Sequence, residues 1–366
     1  MSIRVPFLDL RVHDSSERAA IIAAVTAVLD HGRLILGPEV AELERRIADF
    51  CGRSHCIGVG SGTDALILAL KALGIGSGDE VITPALSWLA TGSSILLNGA
   101  TAVFCDIDET LNIDPTTVEP LITARTKAIL PVHFTGRLAR MPEITELARH
   151  HNLLVIEDGS QAFGATFHGR PCGAFGNVAC ISFNAMKILG GLGDAGVILT
   201  DDAKLAAKLH ALRQNGVVDR DYCEDLSHNC RLDTLQAAIL LKRLDRYPAV
   251  IDRRRTIAAR YDRELGGYVD VPPRLDGYND VFYTYTIRTQ RRDELRDYLA
   301  VHGIETQIQH PVLMNNQPAF QGKSRGNSPK AAKLVKQILC LPTHEKLSDD
   351  EQTYVINAIK AFSERS

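Results

Sequence analysis

Between residues 16 and 50 apolar positions recur at helical spacing, with breaks near Gly32 and at Gly37–Pro38, which predicts two helices. After that two periods alternate. Short runs rich in Val and Ile read as strands: HCIGVG (55–60), EVITPA (80–85), TAVFCDI (101–107), KAILPVHF (127–134), LLVIED (153–158), VACISF (178–183) and GVILTD (196–201). Between them lie stretches of helical period such as GTDALILALKALG, WLATGSSILLNG and PEITELARHHN. Near-continuous apolar strands alternating with helices predict an α/β fold, a mostly parallel sheet covered by helices on both faces.

The pattern changes near residue 233. DTLQAAILLKRLDRYPAVIDRRRTIAARYDREL reads as a long helix, charged on one side, broken at Pro248 and bridging two domains. VFYTYTIRT (281–289) has the period of a strand, RDELRDYLAVHG reads as a helix, 310–329 is a loop, and KAAKLVKQILCLPTHEKLSDDEQTYVINAIKAF holds two more helices. The expected division is a large domain over 1–245, with the N-terminal segment, and a smaller α+β C-terminal domain over 246–366.

Composition then excludes several classes of function. The 366 residues are 45% hydrophobic, and 41 Lys plus Arg against 44 Asp plus Glu leave a net charge of −3, so disorder is excluded as the main state. That balance provides no global positive field, and no nucleic-acid partner is expected. No apolar run approaches the roughly 20 residues of a membrane span, so no membrane partner is expected. The first apolar patch is broken by Asp9 and Arg11, unlike a secretory leader, and a cytoplasmic location is expected. Eight cysteines form no CxxC and no paired Cys/His ligand spacing, which reads as buried thiols rather than a metal site.

In open α/β sheets ligands sit beyond the carboxyl ends of the strands, so the residues just after each strand carry the candidate chemistry. Ser61, Gly62 and Thr63 open a helix after the first strand and read either as a plain N-cap or as a phosphate cup of backbone N–H groups. GVGSGT has Thr63 where a dinucleotide fingerprint needs its third glycine, which argues against a nicotinamide cofactor. Asp158, closing LLVIED, is a carboxylate suited to a metal, to base catalysis or to a cationic ring nitrogen; a metal is least favoured, since Glu157 is the only other carboxylate nearby. Lys187 in SFNAMK, with GGLGDAG behind it, lies between two buried strands and is either a snorkelling cation or a reactive amine. Ser182 precedes it and can hold an anion, and Trp88, the single tryptophan, is either a core residue or a face for stacking on a ring. Together, phosphate cup, carboxylate and lysine meet the needs of pyridoxal 5'-phosphate: a Schiff-base amine, a partner for the pyridinium and a seat for the phosphate.

Over nearly its full length the chain resembles the nucleotide-sugar aminotransferases of the DegT or StrS family. The segments that carry the resemblance are VPFLDL, LGPEVAELER, GSGTDALILALKALGIGSGDEVITPALSW, EDGSQAFGA, SFNAMK with GDAG, NCRLDTLQAAIL and NQPAF. It implies the fold of the aspartate aminotransferase type, fold type I, with a seven-stranded sheet. It implies Lys187 as the Schiff-base lysine and proton shuttle, Asp158 as partner of the pyridine nitrogen, Gln161 on the ring-hydroxyl side and Trp88 as the stacking aromatic. Gly62, Thr63 and Ser182 fall at phosphate-binding positions, and Asn229 matches the asparagine that reaches the phosphate of the neighbouring subunit, implying a homodimer with shared active sites. Arg231 and His310 fall on the substrate side.

The implied reaction moves an amino group from L-glutamate to a 3- or 4-keto hexose carried on UDP or dTDP, for amino-sugar and surface polysaccharide biosynthesis. Two departures bear on the sugar: Phe163 stands where many members carry His, and Gln309–His310 where a His-Tyr pair is common. Two readings compete. Dehydration or epimerisation on the same cofactor is one, and family dehydratases carry His in place of the lysine, so Lys187 argues against dehydration. A non-catalytic, nucleotide-sugar-binding regulatory protein is the other, disfavoured by the intact Lys187, Asp158 and Ser182 set.

Overall fold

The computed structural model describes residues 3–365. Helix α1 (Ser15–His31) is capped by the Asp14 carboxylate, which accepts from the Glu17 N–H, and stops at Gly32 in the left-handed conformation. Helix α2 (Pro38–Cys51) begins on its proline and stops the same way at Gly52. The expected alternation follows: β1 (His55–Val59), α3 (Gly62–Ala72), β2 (Glu80–Pro84), α4 (Leu89–Leu97), β3 (Thr101–Cys105), β4 (Thr126–Ile129), α5 (Met141–His150) and β5 (Leu154–Asp158). A small turn-back, β6 (Thr166–Phe167) with β7 (Arg170–Pro171), precedes β8 (Val178–Ser182), β9 (Gly196–Thr200) and α6 (Ala203–Leu212). Beyond the hairpin β10 (Val217–Asp219) and β11 (Tyr222–Cys223) runs the long helix α7 (Thr234–Leu265). The chain ends with β12 (Tyr278–Asn279), β13 (Tyr285–Arg288), α8 (Arg292–Val301), β14 (Ser324–Arg325), α9 (Pro329–Leu334), β15 (Ile338–Leu341) and α10 (Asp349–Ser363).

The main sheet has the order β1-β9-β8-β5-β4-β2-β3-β14. Only β9 runs antiparallel to its neighbours, β1 and β8, and the two-residue β14 adds a short eighth strand beside β3. Alternate strand residues face opposite ways, as the pleat requires. Ile57, Val59, Val81, Phe104, Val178 and Ile198 pack under α3, α4 and α6. Cys56, Ile82, Val103, Val155, Ile181 and Val197 pack under α2, α5 and α7. A third apolar cluster joins Val5, the C-terminal half of α7, β13, β15, α8 and α10. The intervening chain returns to the main sheet, where Leu313, Met314, Phe320 and Leu334 bury against the first cluster.

Three expectations are corrected. Helix α7 is one 32-residue helix through Pro248, not broken there. Pro248 removes one N–H from the ladder, but the helix is packed against α1, α2 and α10, and buried Tyr247 is tied by its hydroxyl to the Phe163 carbonyl at 2.6 Å. The ILCL run at 338–341 is a strand pairing with β13, where the sequence suggested only helices; four consecutive buried residues carry no period that separates the two. The strand expected over 281–289 is regular only over Tyr285–Arg288, since Phe282 lies at positive φ.

Candidate active site

The sheet topology places every candidate group at one end. Asp158 and Ser182 close the parallel neighbours β5 and β8, and α3 and α4 begin at that same edge. Because β9 returns antiparallel to β8, the segment between them that carries Lys187 also lies there.

At the start of α3 the Ser61 hydroxyl accepts from the Asp64 N–H at 3.0 Å and the Ser61 carbonyl from the Ala65 N–H, also at 3.0 Å. Of the helix's first N–H groups, those of Gly62 and Thr63 remain for another acceptor. Gly62 is required by contact: a Cβ there would stand 2.5 Å from Cβ of Ser182. Two N–H groups, the hydroxyls of Thr63 and Ser182 and a helix dipole make a cradle that fits a phosphate.

Asp158 is buried, and its Oδ2 accepts from the Thr91 hydroxyl at 2.8 Å, while Ser87 lies 2.9 Å from that hydroxyl. Thr91 donates to the carboxylate, so Ser87 donates to Thr91. Oδ1 accepts from the Ser160 N–H at 3.2 Å. The strand end behind it is fixed by Glu157, fully buried, which accepts from Gly173, Phe175 and Gly176 N–H groups at 3.0, 2.7 and 2.6 Å. Glu157 also meets Nε2 of buried His133 at 3.0 Å. The Ala139 N–H donates to His133 Nδ1 at 3.1 Å, which assigns the ring proton to Nε2. Burial opposes the Glu157 charge, but His133 and the backbone donors outweigh it and hold the carboxyl below its ordinary value.

Lys187 sits in a turn closed by its own N–H to the Asn184 carbonyl at 2.8 Å and by Ala185 N–H to Gly193 carbonyl at 2.8 Å. Gln236 of α7 clamps the far side through the Leu192 N–H at 2.8 Å. The Lys187 ammonium lies 4.6 Å from the centroid of the Tyr283 ring, brought from the third cluster's side. Trp88, 59% exposed, forms another wall, and the His310 ring sits between it and Phe134 with centroids 5.8 and 5.7 Å away. Burial, with the Lys187 charge second, lowers the His310 imidazole to about 4. Its Nε2 is buried without a hydrogen-bond partner among the described residues, and its backbone is at φ +53°.

These groups line one cavity of about 610 Å³. Gly62, Thr63, Trp88, Asp158, Gln161, Ser182, Lys187 and His310 all border it. Asn229 and Arg231 do not: they lie on a segment bridged to Gln214 and to Val59 outside the cavity of their own chain, with Asn229 exposed. Thr91, Tyr283 and Gln309 border the cavity without having been singled out as its ligands. Thr91 carried a usable signal, one helical turn after Trp88, Gln309 stood out as a departure bearing on the sugar, and Tyr283 arrives only through tertiary folding. The phosphate cradle and the acidic group at a strand end fit pyridoxal phosphate. Seven cysteines are buried and Cys223 is exposed. Two groupings among the described residues escaped the spacing argument: ligand atoms of Asp64, His228 and Cys230, and those of Glu119, His150 and His151, lie within 4.8 Å of one another in each set, with Asp64 Oδ1 already meeting His228 Nε2 at 3.0 Å.

Residues 15–360 match the DegT/DnrJ/EryC1/StrS aminotransferase family. The chain is 41% identical over 367 aligned positions to a pleiotropic regulatory protein of Geobacillus stearothermophilus, covering 98% of this chain and 99% of that one. It is equally, 41%, identical to dTDP-3-amino-3,4,6-trideoxy-alpha-D-glucose transaminase of Streptomyces venezuelae, covering 99% and 97%. The crystal structure of S. venezuelae DesV superposes with a TM-score of 0.96 at 41% identity over 100% of both chains. That of Bacillus subtilis NtdA with bound pyridoxamine phosphate gives 0.94 at 30% identity, over 100% of this chain and 86% of that one. The chain belongs to the DegT/DnrJ/EryC1/StrS aminotransferase family and is a pyridoxal phosphate-dependent aminotransferase.

Proposed function

We propose that this aminotransferase moves an amino group from glutamate to a keto sugar carried on UDP or dTDP, as a cytoplasmic homodimer, for amino-sugar synthesis. The observation that carries the reading is the meeting of Lys187, Asp158 and the Gly62–Thr63–Ser182 cradle on one cavity. The named activity of the S. venezuelae relative supports the substrate class.

Bound pyridoxal phosphate supplies an electron sink for the carbon that loses its proton. Every other role falls to this chain. Gly62, Thr63 and Ser182 would hold the phosphate, and Asp158, accepting from the Thr91 hydroxyl and the Ser160 N–H, would pair with the ring nitrogen. Trp88, on the cavity wall, would pack on the ring face. The Lys187 amine takes the proton from the donor and returns it to the sugar-bearing side, a single base serving both halves. A smaller unit over 246–366 would supply Tyr283, Gln309 and His310, which border the same cavity as the amine. Asn229 and Arg231, outside their own cavity, are assigned to the neighbouring subunit's site.

The test is product analysis. Purified enzyme given glutamate and enzymatically made UDP- or dTDP-keto hexoses yields 2-oxoglutarate and an amino sugar in equal amounts. Formation of a dehydrated or epimerised sugar without glutamate consumption would overturn the reading.

A further inference from the structure

The amide of Gln161 is held in one direction by atoms whose roles are not interchangeable. The Thr135 backbone N–H can only donate, and it lies 3.0 Å from Gln161 Oε1. The oxygen therefore faces Thr135, and the Gln161 NH2 is left for the cavity. Gln309 Nε2 stands 3.3 Å from the same oxygen, so Gln309 must present its NH2 there and its own Oε1 away. That Oε1 meets the Thr284 hydroxyl at 3.2 Å, so Thr284 donates; Thr286, 3.1 Å from Thr284, donates in turn. All four side chains are buried. One backbone N–H thus orders a one-way chain of donors from β13, where Thr286 pairs with Cys340 of β15, to the cavity wall beside Asp158.

We propose that Gln309 is a positioning residue: by donating to Gln161 Oε1 beside the Thr135 N–H it tightens the hold that aims the Gln161 NH2 toward the ring hydroxyl of the cofactor, and so tunes the protonation of the cofactor–Lys187 linkage. This rests on the reading, made above from family resemblance, that Gln161 lies on the ring-hydroxyl side. An N–H donated to the ring oxygen stabilises its negative charge. That charge is least compensated when the linkage nitrogen beside it has lost its proton, so the donor favours proton loss and lowers the pH midpoint of the long-wavelength cofactor band. Without Gln309 the Thr135 N–H alone holds the Gln161 amide, on one bond instead of two, so its NH2 meets the ring oxygen less of the time and the midpoint rises.

The experiment is a pH titration of cofactor absorbance in the loaded enzyme, without substrate, for the unmodified protein and for Gln161→Met, Gln309→Met and Gln309→His. Loss of one hydrogen bond to a charged group corresponds to about one pH unit. The expected result is a rise of about one unit in Gln161→Met, a smaller rise in the same direction in Gln309→Met, and recovery in Gln309→His, whose ring N–H can donate again. A midpoint unchanged in Gln161→Met overturns the premise about Gln161. A midpoint moved in Gln161→Met but unmoved in Gln309→Met overturns the proposal itself. Equal shifts in Gln309→Met and Gln309→His also overturn it, since packing rather than donation would then be the cause.

Discussion

Glu157→Gln removes one charge and no volume from the strand that ends in Asp158, and the geometry fixes the cost. Oε1 accepts from Phe175 and Gly176 N–H groups at 2.7 and 2.6 Å, and Oε2 from Gly173 N–H and His133 Nε2, each at 3.0 Å. Whichever way the new amide turns, its NH2 faces two donors, so two charge-assisted bonds are lost. At roughly 1.5–3 kcal/mol each this is about 3–6 kcal/mol, a large share of the 5–15 kcal/mol that typically holds a domain. Burial raises and the partners lower the Glu157 carboxyl, and the lowering prevails. Its stabilisation is therefore present above the unfolded value of about 4.3 and is lost as pH falls through the lower native value. Hydrogen exchange at residues 173–176 and denaturant unfolding at pH 7 and at pH 3 measure the effect. Exchange should accelerate and the unfolding midpoint fall at pH 7, with the gap to the parent narrowing at pH 3. Glu146→Gln, which removes a surface partner of Arg149, serves as the control and should change neither. A Glu157→Gln protein that matches that control at pH 7 would show that the Glu157 charge does not hold the 173–176 turn.

Three further outcomes follow. Gly62→Ala brings a methyl to 2.5 Å from Ser182 Cβ and must displace the cradle; cofactor affinity, read by fluorescence titration, should fall at least about tenfold. Thr91→Val keeps shape but removes the donor to Asp158 Oδ2, so kcat should fall about tenfold with KM nearly unchanged, as steady-state kinetics would show. His310, lowered to about 4 in the fold, takes up its proton first in the unfolded chain. The apoprotein should lose up to about 3 kcal/mol between pH 6.5 and 4 from this residue, and His310→Gln should flatten that part of the unfolding profile.

The sequence was most informative where a local signal and the tertiary outcome agree. Gly32 and Gly37–Pro38 bound α1 and α2 because a left-handed glycine and a first-turn proline act within a few residues. The strands of the main sheet were legible because both their faces are buried, which leaves an unbroken apolar run. Lys187, Asp158 and Ser182 were legible for the same reason, as polar groups at the ends of such runs. Pro248 misled because its local effect is overridden by packing along α7. The ILCL strand and the shortened β13 were illegible because pairing across more than 50 residues decides them. In the roof of the site, Gln309 and His310 were reached only through the resemblance of their segment to the family, and Tyr283 not at all, since only the return of the C-terminal chain over the sheet places it.

The most direct test of the account is the absorption spectrum of the cofactor-loaded protein before and after excess glutamate, with Lys187→Ala beside it. Glutamate should abolish a long-wavelength band, with one 2-oxoglutarate formed per chain, and Lys187→Ala should show no such conversion. A protein that takes up no pyridoxal phosphate, or whose band glutamate leaves unchanged, would contradict it.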